Sequence, residues 1–253
     1  PPPPPPRHGN HGHGHGHGHG PGEHTHDEPT EVRPRGHTIT LEQAVLAKND
    51  DLAAVNRRWL AERGILALNL MSSPGAGKTT LLERTIVDLA SSDQALPVSV
   101  VEGDQETLLD AERISDTGCR VVQINTGSGC HLDAEMVERG LRTLAPPDRS
   151  VLFIENVGNL VCPALFDLGE AAKIVITSTT EGEDKPLKYP QMFAAADLVL
   201  LNKVDLLPYL DFDVERCLAA TRRVNPGVEV LLLSATRGEG LTAWYDWLRR
   251  RVG

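Results

Sequence analysis

The chain has 253 residues, 40% of them hydrophobic and 24% charged, with 35 acidic side chains against 25 basic. That is one ordinary globular domain or two small ones, and a formal net charge of −10 argues against a surface built to neutralise phosphate backbones, so no nucleic-acid partner is expected. No apolar run approaches the roughly 18 to 20 residues of a spanning helix, no basic start leads into an apolar stretch, and the few cysteines suit a reducing compartment, so no membrane association is expected and the cytoplasm is the expected location.

In chain order, the first 37 residues hold nine of the ten histidines among Pro, Gly and a few charges. So few aliphatic side chains cannot offset the entropy of ordering, and residues 1–37 are expected to form a disordered tail. His11, His13, His15, His17 and His19 alternate with glycine, and His24 and His26 follow. Imidazoles on so permissive a backbone can wrap a borderline metal such as Ni²⁺, Zn²⁺ or Cu²⁺ from several directions, although a plain polar low-complexity tail has the same composition.

Ordered structure is expected from Thr38, with residues 38–253 as one domain. Thr40 and Gln43 have capping-box spacing, and Leu41, Val45, Leu52, Val55 and Trp59 recur at helical spacing up to Gly64, which predicts an amphipathic helix with these residues as its apolar face. Short apolar runs follow at 65–71, 98–101, 121–124, 151–154, 174–176, 198–201 and 228–233. Helical patterns separate most of them, at 81–90, 132–144, 214–224 and 241–250. Strands alternating with helices predict the α/β class, a mostly parallel sheet covered by helices on both faces, because each parallel crossover needs an element that returns the chain.

Directly after the first strand comes Ser72-Ser73-Pro74-Gly75-Ala76-Gly77-Lys78-Thr79-Thr80, a P-loop pattern with Ser72 in place of the first glycine. Backbone N–H groups of Gly75 to Thr80 and the helix start would line an anion cradle, Lys78 would reach the β and γ phosphates, and the Thr79 hydroxyl would ligate Mg²⁺. The second strand ends in Glu102-Gly103-Asp104 and the fourth in Glu155-Asn156-Val157-Gly158. Asp104 and Glu155 are the acids expected to hold Mg²⁺, and Gly158 has the place of the glycine whose N–H faces a γ-phosphate. Lys78, Asp104 and Glu155 are therefore the expected catalytic residues. Asn159 stands where many GTPases put a water-orienting Gln, which predicts slow hydrolysis of GTP to GDP.

A later strand runs into Asn202-Lys203-Val204-Asp205, the order of a guanine reader. Guanine offers N1–H and N2–H₂ as adjacent donors that one carboxylate accepts together, and adenine has no such pair, so Asp205 is expected to select GTP. Lys203 can cover a face of the base and Asn202 can steady the loop, while Ser234-Ala235-Thr236 resembles the loop whose backbone N–H meets guanine O6.

Cys130-His131, reached through glycines, and Cys162, followed by Pro163, are potential soft-metal ligands in loops. Neighbours on a strand point to opposite faces, so Cys130 and His131 can share an ion only from a turn or helix start. Two thiolates and an imidazole suit Zn²⁺ or Ni²⁺ and are one short of a closed tetrahedral set. Spacing alone leaves open whether the three meet. Cys119 and Cys217 lie in patterned core and are expected to be inert.

With these motifs, the chain resembles the HypB family of hydrogenase nickel-incorporation GTPases, within the SIMIBI class of P-loop GTPases. The resemblance runs from about Thr38 to the C-terminus. It rests on the P-loop, Cys130-His131-Leu132-Asp133, the stretch from Glu155 to Pro163, and Thr180-Glu181-Gly182-Glu183-Asp184-Lys185-Pro186-Leu187-Lys188-Tyr189-Pro190. It implies Ni²⁺ or Zn²⁺ held by Cys130, His131 and Cys162 near the interface of a GTP-dependent homodimer. It also implies a HypA-type metallochaperone as partner and delivery of nickel to the large subunit of [NiFe]-hydrogenase. One departure is that no cysteine precedes Cys119, so the tail is His-rich rather than Cys-rich. The alternatives are a related SIMIBI chaperone such as the urease protein UreG, whose Cys-x-His spacing differs from the adjacent pair here, and a nickel-storage protein with a vestigial nucleotide site.

Overall fold

The apolar runs become strands because each is too short for a buried helix and bounded by turn residues. In the computed structural model, which describes residues 36–252 apart from 93–94, 105–108 and 128, they are β1 (Leu66–Ser72), β2 (Val98–Asp104), β3 (Arg120–Asn125), β4 (Val151–Glu155), β5 (Ala172–Ser178), β6 (Leu198–Asn202) and β7 (Glu229–Leu232). All neighbouring strands are parallel, in the order β3-β2-β4-β1-β5-β6-β7. Chain direction across the sheet reverses around β1, since β2 and β3 lie beyond β4 on one side and β5 to β7 on the other. A ligand crevice forms outside the C-terminal ends of the strands at such a point.

The helices are α1 (Gly36–Glu62), α2 (Lys78–Ala90), α3 (Leu109–Asp116), α4 (Ala134–Leu144), α5 (Cys162–Leu165), α6 (Lys185–Lys188), α7 (Pro190–Ala194), α8 (Val214–Val224) and α9 (Leu241–Arg251). The sequence patterns found the long ones; α5 to α7 are too short to show a period, and in α3 the buried Ile114 stands among charged neighbours. Alternation along β1 sorts the core into two layers. Leu66, Leu68 and Leu70 face α2 and α9, where Trp244 stacks on Trp247 and donates to Thr85 Oγ1 at 3.0 Å. Ala67 faces the other layer with Val137 and Leu141 of α4 and Leu60 of α1. Both faces are thus covered, as expected. Among the described residues, no helix is long and apolar enough to cross a membrane. The histidine-rich stretch with His11, His13, His15, His17, His19, His24 and His26 lies outside the described residues.

The helix before the main sheet differs from its sequence expectation in two respects. It starts at Gly36, so Thr40 lies within α1 and not at its cap, where a non-helical backbone would be needed. Its buried face is also shifted: Trp59 packs against the core as expected, but Val45 and Val55 do not. Val45 and Val55 are 51% and 53% exposed, whereas Asn49, Ala53, Asn56 and Leu60 are buried. The reason is polar: Asn56 Nδ2 donates to the carbonyls of Ala134 and Leu168, and Asn49 spans Asp167 O and the Ala134 N–H. These bonds satisfy loop and helix-end groups that apolar side chains could not. Ala53 lets the helix sit on Gly169, where an added Cβ would lie 2.7 Å from Ala53 O.

Candidate nucleotide and metal site

The P-loop leaves β1 and enters α2 through Gly77, which has φ 92° and brings the loop against Asn202: a Cβ there would lie 2.5 Å from Asn202 Nδ2. Only glycine fits both the dihedral and the gap. The loop opens on a cleft of about 560 Å³ at the C-terminal ends of β1, β2 and β4, whose lining includes Gly75, Gly77, Lys78, Thr79 and Thr80. Gly158 closes one side, where its Cβ would meet Pro74 at 3.2 Å.

Glu155 Oε1 accepts from both Lys78 Nζ (2.8 Å) and Thr79 Oγ1 (2.7 Å), while its Oε2 is buried without a partner. Asp104 and Glu102 also line the cleft. Glu102 is the register partner of Glu155 across β2 and β4 and is only 3% exposed. Burial first, then the charges of Glu155 and Asp104, push its carboxyl up to about 8. Its Oε2 likewise has no partner. Hard oxygen donors with orphaned buried atoms fit a divalent cation of the Mg²⁺ type. Sequence reasoning quoted Glu102 without assigning it a role. The available clue was strand alternation, which puts residues 102 and 104 on one side. It also missed Asp110 and Arg113 of α3, which line the cleft while Arg113 is bound to Glu83 at 2.7 Å.

The loop from Asn202 to Asp205 is wired to the P-loop by Asn202. Its Nδ2 donates to Ala76 O (3.0 Å), and its Oδ1 accepts from Lys203 N (2.8 Å) and Ala235 N (3.1 Å). Lys203, with φ 61°, sends its ammonium to Gly75 O at 2.6 Å. Ser234 is buried and its Oγ accepts from the Arg237 N–H. Asp205, in the turn Val204–Tyr209, keeps Oδ1 buried and unpartnered. Behind the P-loop, the Thr180–Pro190 stretch supplies Lys185, whose Nζ donates to Ser73 Oγ (2.7 Å) and pairs with Glu181.

Cys130, His131 and Cys162 do meet. Their ligand atoms lie within 4.8 Å of one another. Cys130 and His131 sit in the bend between β3 and α4, as sharing requires, and Cys162 opens α5. Asp133 caps α4 by accepting from the Met136 N–H at 2.7 Å, which sets where the bend ends. His131 stacks on Phe166 with centroids 3.9 Å apart, and burial lowers its pKa, favouring the neutral imidazole that binds metals. The Cys130 and Cys162 sulfurs are 2.7 Å apart as free thiols; that contact, followed by burial, raises the Cys162 pKa. Burial pushes Cys119 and Cys217 up to about 11, in keeping with inert thiols. Asn159 accepts from the Val161 N–H (2.8 Å) and the Cys162 N–H (3.4 Å), so its side chain shapes the Cys162 turn.

The family model described as CobW/HypB/UreG, nucleotide-binding domain, matches residues 66–232. The hydrogenase maturation factor HypB of Rhizobium leguminosarum bv. viciae is 60% identical over 210 residues, covering 83% of this chain and 69% of that protein. This chain belongs to the HypB family. The HypB of Escherichia coli K12 is 59% identical, with 83% of this chain and 71% of that protein covered. Among solved structures, HypB from Archaeoglobus fulgidus superposes with a TM-score of 0.76 at 39% identity, over 82% of this chain and 100% of that one. HypB from Helicobacter pylori, crystallised in complex with nickel, gives 0.74 at 39% identity, over 81% and 95%. The parallel sheet and its P-loop crevice are therefore a HypB-family fold.

Proposed function

We propose that this HypB-family chain is a GTP-hydrolysing nickel chaperone serving the large subunit of a [NiFe]-hydrogenase, with Ni²⁺ as its cargo and Zn²⁺ as a competing ion. The observation that carries this reading is the convergence of Cys130, His131 and Cys162 on loops that leave the C-terminal ends of β3 and β4, the same edge of the sheet as the phosphate-loop cleft. Residues 1–37 would serve as a histidine-rich reservoir attached to the nucleotide domain of residues 38–253. A HypA-type metallochaperone and a GTP-dependent second copy of the chain are the partners that the family suggests.

In the nucleotide cleft, the P-loop N–H groups and the start of α2 hold the phosphates, and Lys78 exchanges Glu155 for a phosphate oxygen. Thr79, Asp104 and Glu155 would hold Mg²⁺, which when bound supplies charge neutralisation of the β and γ phosphates. Gly158 offers its N–H to the γ phosphate, and Asp205 accepts both guanine donors. Asn202 keeps Lys203, Ala76 and Ala235 in register around the base. Asn159, which stands in the place of a water-orienting Gln, is engaged in the Cys162 turn, which supports the expectation of slow turnover.

The test loads the full-length protein with nickel and either GDP or a non-hydrolysable GTP analogue, then adds nickel-free hydrogenase large subunit. Transfer that depends on the nucleotide is the expected result; nickel retained equally under both nucleotides overturns the reading. Cys162→Ser is expected to weaken nickel binding at the core site by at least about 100-fold while leaving GTP affinity within about twofold, since a hydroxyl is a poor substitute for a thiolate. Sulfur-to-nickel charge-transfer absorption reads this site alone, because no cysteine lies in the histidine-rich segment. Unchanged nickel binding in Cys162→Ser would refute the assignment, whereas loss of nickel and GTP binding together would indicate misfolding instead.

A further inference from the structure

A run of buried amide side chains joins the two halves of the site. Asn156 follows Glu155 directly and is fully buried. Its Oδ1 accepts two backbone N–H groups, from Val157 at 3.0 Å and from Leu132 at 3.1 Å. Leu132 is the residue after His131 and is itself fully buried, its side chain lying against Gly103 between the two cleft acids of β2. The other end of Asn156 is anchored: Nδ2 donates to Asn69 Oδ1 (3.3 Å), and Asn69 Nδ2 donates to Glu170 Oε1 (3.1 Å). Glu170 is held in turn by the Leu168 N–H at 2.6 Å. The metal-loop backbone therefore hangs from a side chain one peptide unit away from the carboxylate that contacts Lys78 and Thr79.

Filling the cleft changes what Glu155 holds. A triphosphate draws Lys78 away and a cation competes for Thr79, both of which now share Glu155 Oε1. Movement of Glu155 turns the adjoining peptide, and with it Asn156. An unpaired buried N–H is costly, so the Leu132 amide follows its acceptor and carries His131 and Cys130 along.

We propose that Asn156 is a positioning residue that transmits the nucleotide state from Glu155 to the Cys130-His131 loop through its bond to the Leu132 N–H. This rests on the nickel-switch reading above and adds the residue through which the switch acts. In the full-length protein, the ratio of nickel affinities with GDP and with a non-hydrolysable GTP analogue, read by thiolate charge-transfer absorption, is expected to be about tenfold or more. Asn156→Ala is expected to bring that ratio to within twofold of unity while nickel and nucleotide each still bind. Asn69→Ala removes a bond from the same buried network but leaves Asn156 Oδ1 in place, and is expected to keep the parental ratio.

A parent protein with no nucleotide dependence sinks the nickel-switch reading, and this role with it. A responsive parent whose Asn156→Ala variant responds equally sinks only the role of Asn156, as does an Asn69→Ala variant that loses the response too, since general loosening of the core would then suffice. Should Asn156→Ala fail to fold, amide exchange at Leu132 in the unaltered protein decides. Protection that differs between the two nucleotide complexes supports the role, and equal protection overturns it.

Discussion

Lys78→Ala is expected to lower GTP turnover by about 10²–10³-fold, the usual effect of deleting one group aimed at developing charge, and to destabilise the nucleotide-free protein as well. The second effect follows from the pair it forms. Lys78 and Glu155 are 2.8 Å apart with side chains only 12% and 1% exposed. Truncating the lysine leaves a buried carboxylate with Thr79 as its remaining partner. Breaking such a pair from one side costs roughly 3–5 kcal/mol, most of it the desolvation of the abandoned charge. The double variant Lys78→Ala with Glu155→Gln is therefore expected to regain most of the lost stability and none of the turnover. Thermal denaturation and steady-state phosphate release separate the two effects. Normal turnover in Lys78→Ala would remove the phosphate role, and equal melting of single and double variants would remove the charge argument.

Asp205→Asn should act on affinity without that stability cost. Its Oδ1 is buried and has no partner in the nucleotide-free chain, so a neutral amide there is expected to leave folding stability unchanged or raised. Against guanine, the amide presents a donor where two donors need an acceptor, a mismatch of about 2–3 kcal/mol, or roughly 10²-fold in GTP affinity. Xanthine carries a carbonyl in place of the guanine amino group and accepts from that amide, so xanthosine triphosphate is expected to bind the variant more tightly than GTP does. Competition binding with the two nucleotides reads this directly. A parent protein that binds ATP as well as GTP would overturn the assignment of Asp205 as base reader.

The two variants differ because Lys78 is already paired with Glu155 in the nucleotide-free chain, whereas Asp205 Oδ1 has no partner to lose. Glu155 Oε1 is held by both Lys78 and Thr79, contacts that a ligand must displace, while its Oε2 is buried without a partner. Asp205 and Glu102 keep buried oxygens without partners. A cation can therefore engage oxygens that Glu102 and Glu155 leave without partners, while a triphosphate must also displace Glu155 from Lys78. The displaced Lys78–Glu155 contact lies next to Asn156, which is where the proposed relay begins.

Much of this was legible in the sequence. Strands buried on both faces read as unbroken apolar runs, so 151–154 and 198–201 located β4 and β6 to within a residue at each end. The phosphate loop and the base reader are contiguous stretches whose chemistry depends on local order, and the glycines before Cys130 announced a turn. Long-range choices were not legible. The apolar period of α1 pointed to Val45 and Val55, yet the helix buries Asn49 and Asn56, whose partners at Ala134, Asp167 and Leu168 are distant in sequence. Glu102 became notable only when the register put it opposite Glu155. What the sequence by itself determined was the inventory of elements, the order of its motifs and the residue types able to hold a nucleotide and a soft metal, because burial pattern and turn chemistry are local. Only the tertiary structure decided that Cys162 meets Cys130 and His131, and that Asn156 ties their loop to the nucleotide cleft. Strand register and loop approach set those contacts, and each joins groups that no local pattern relates.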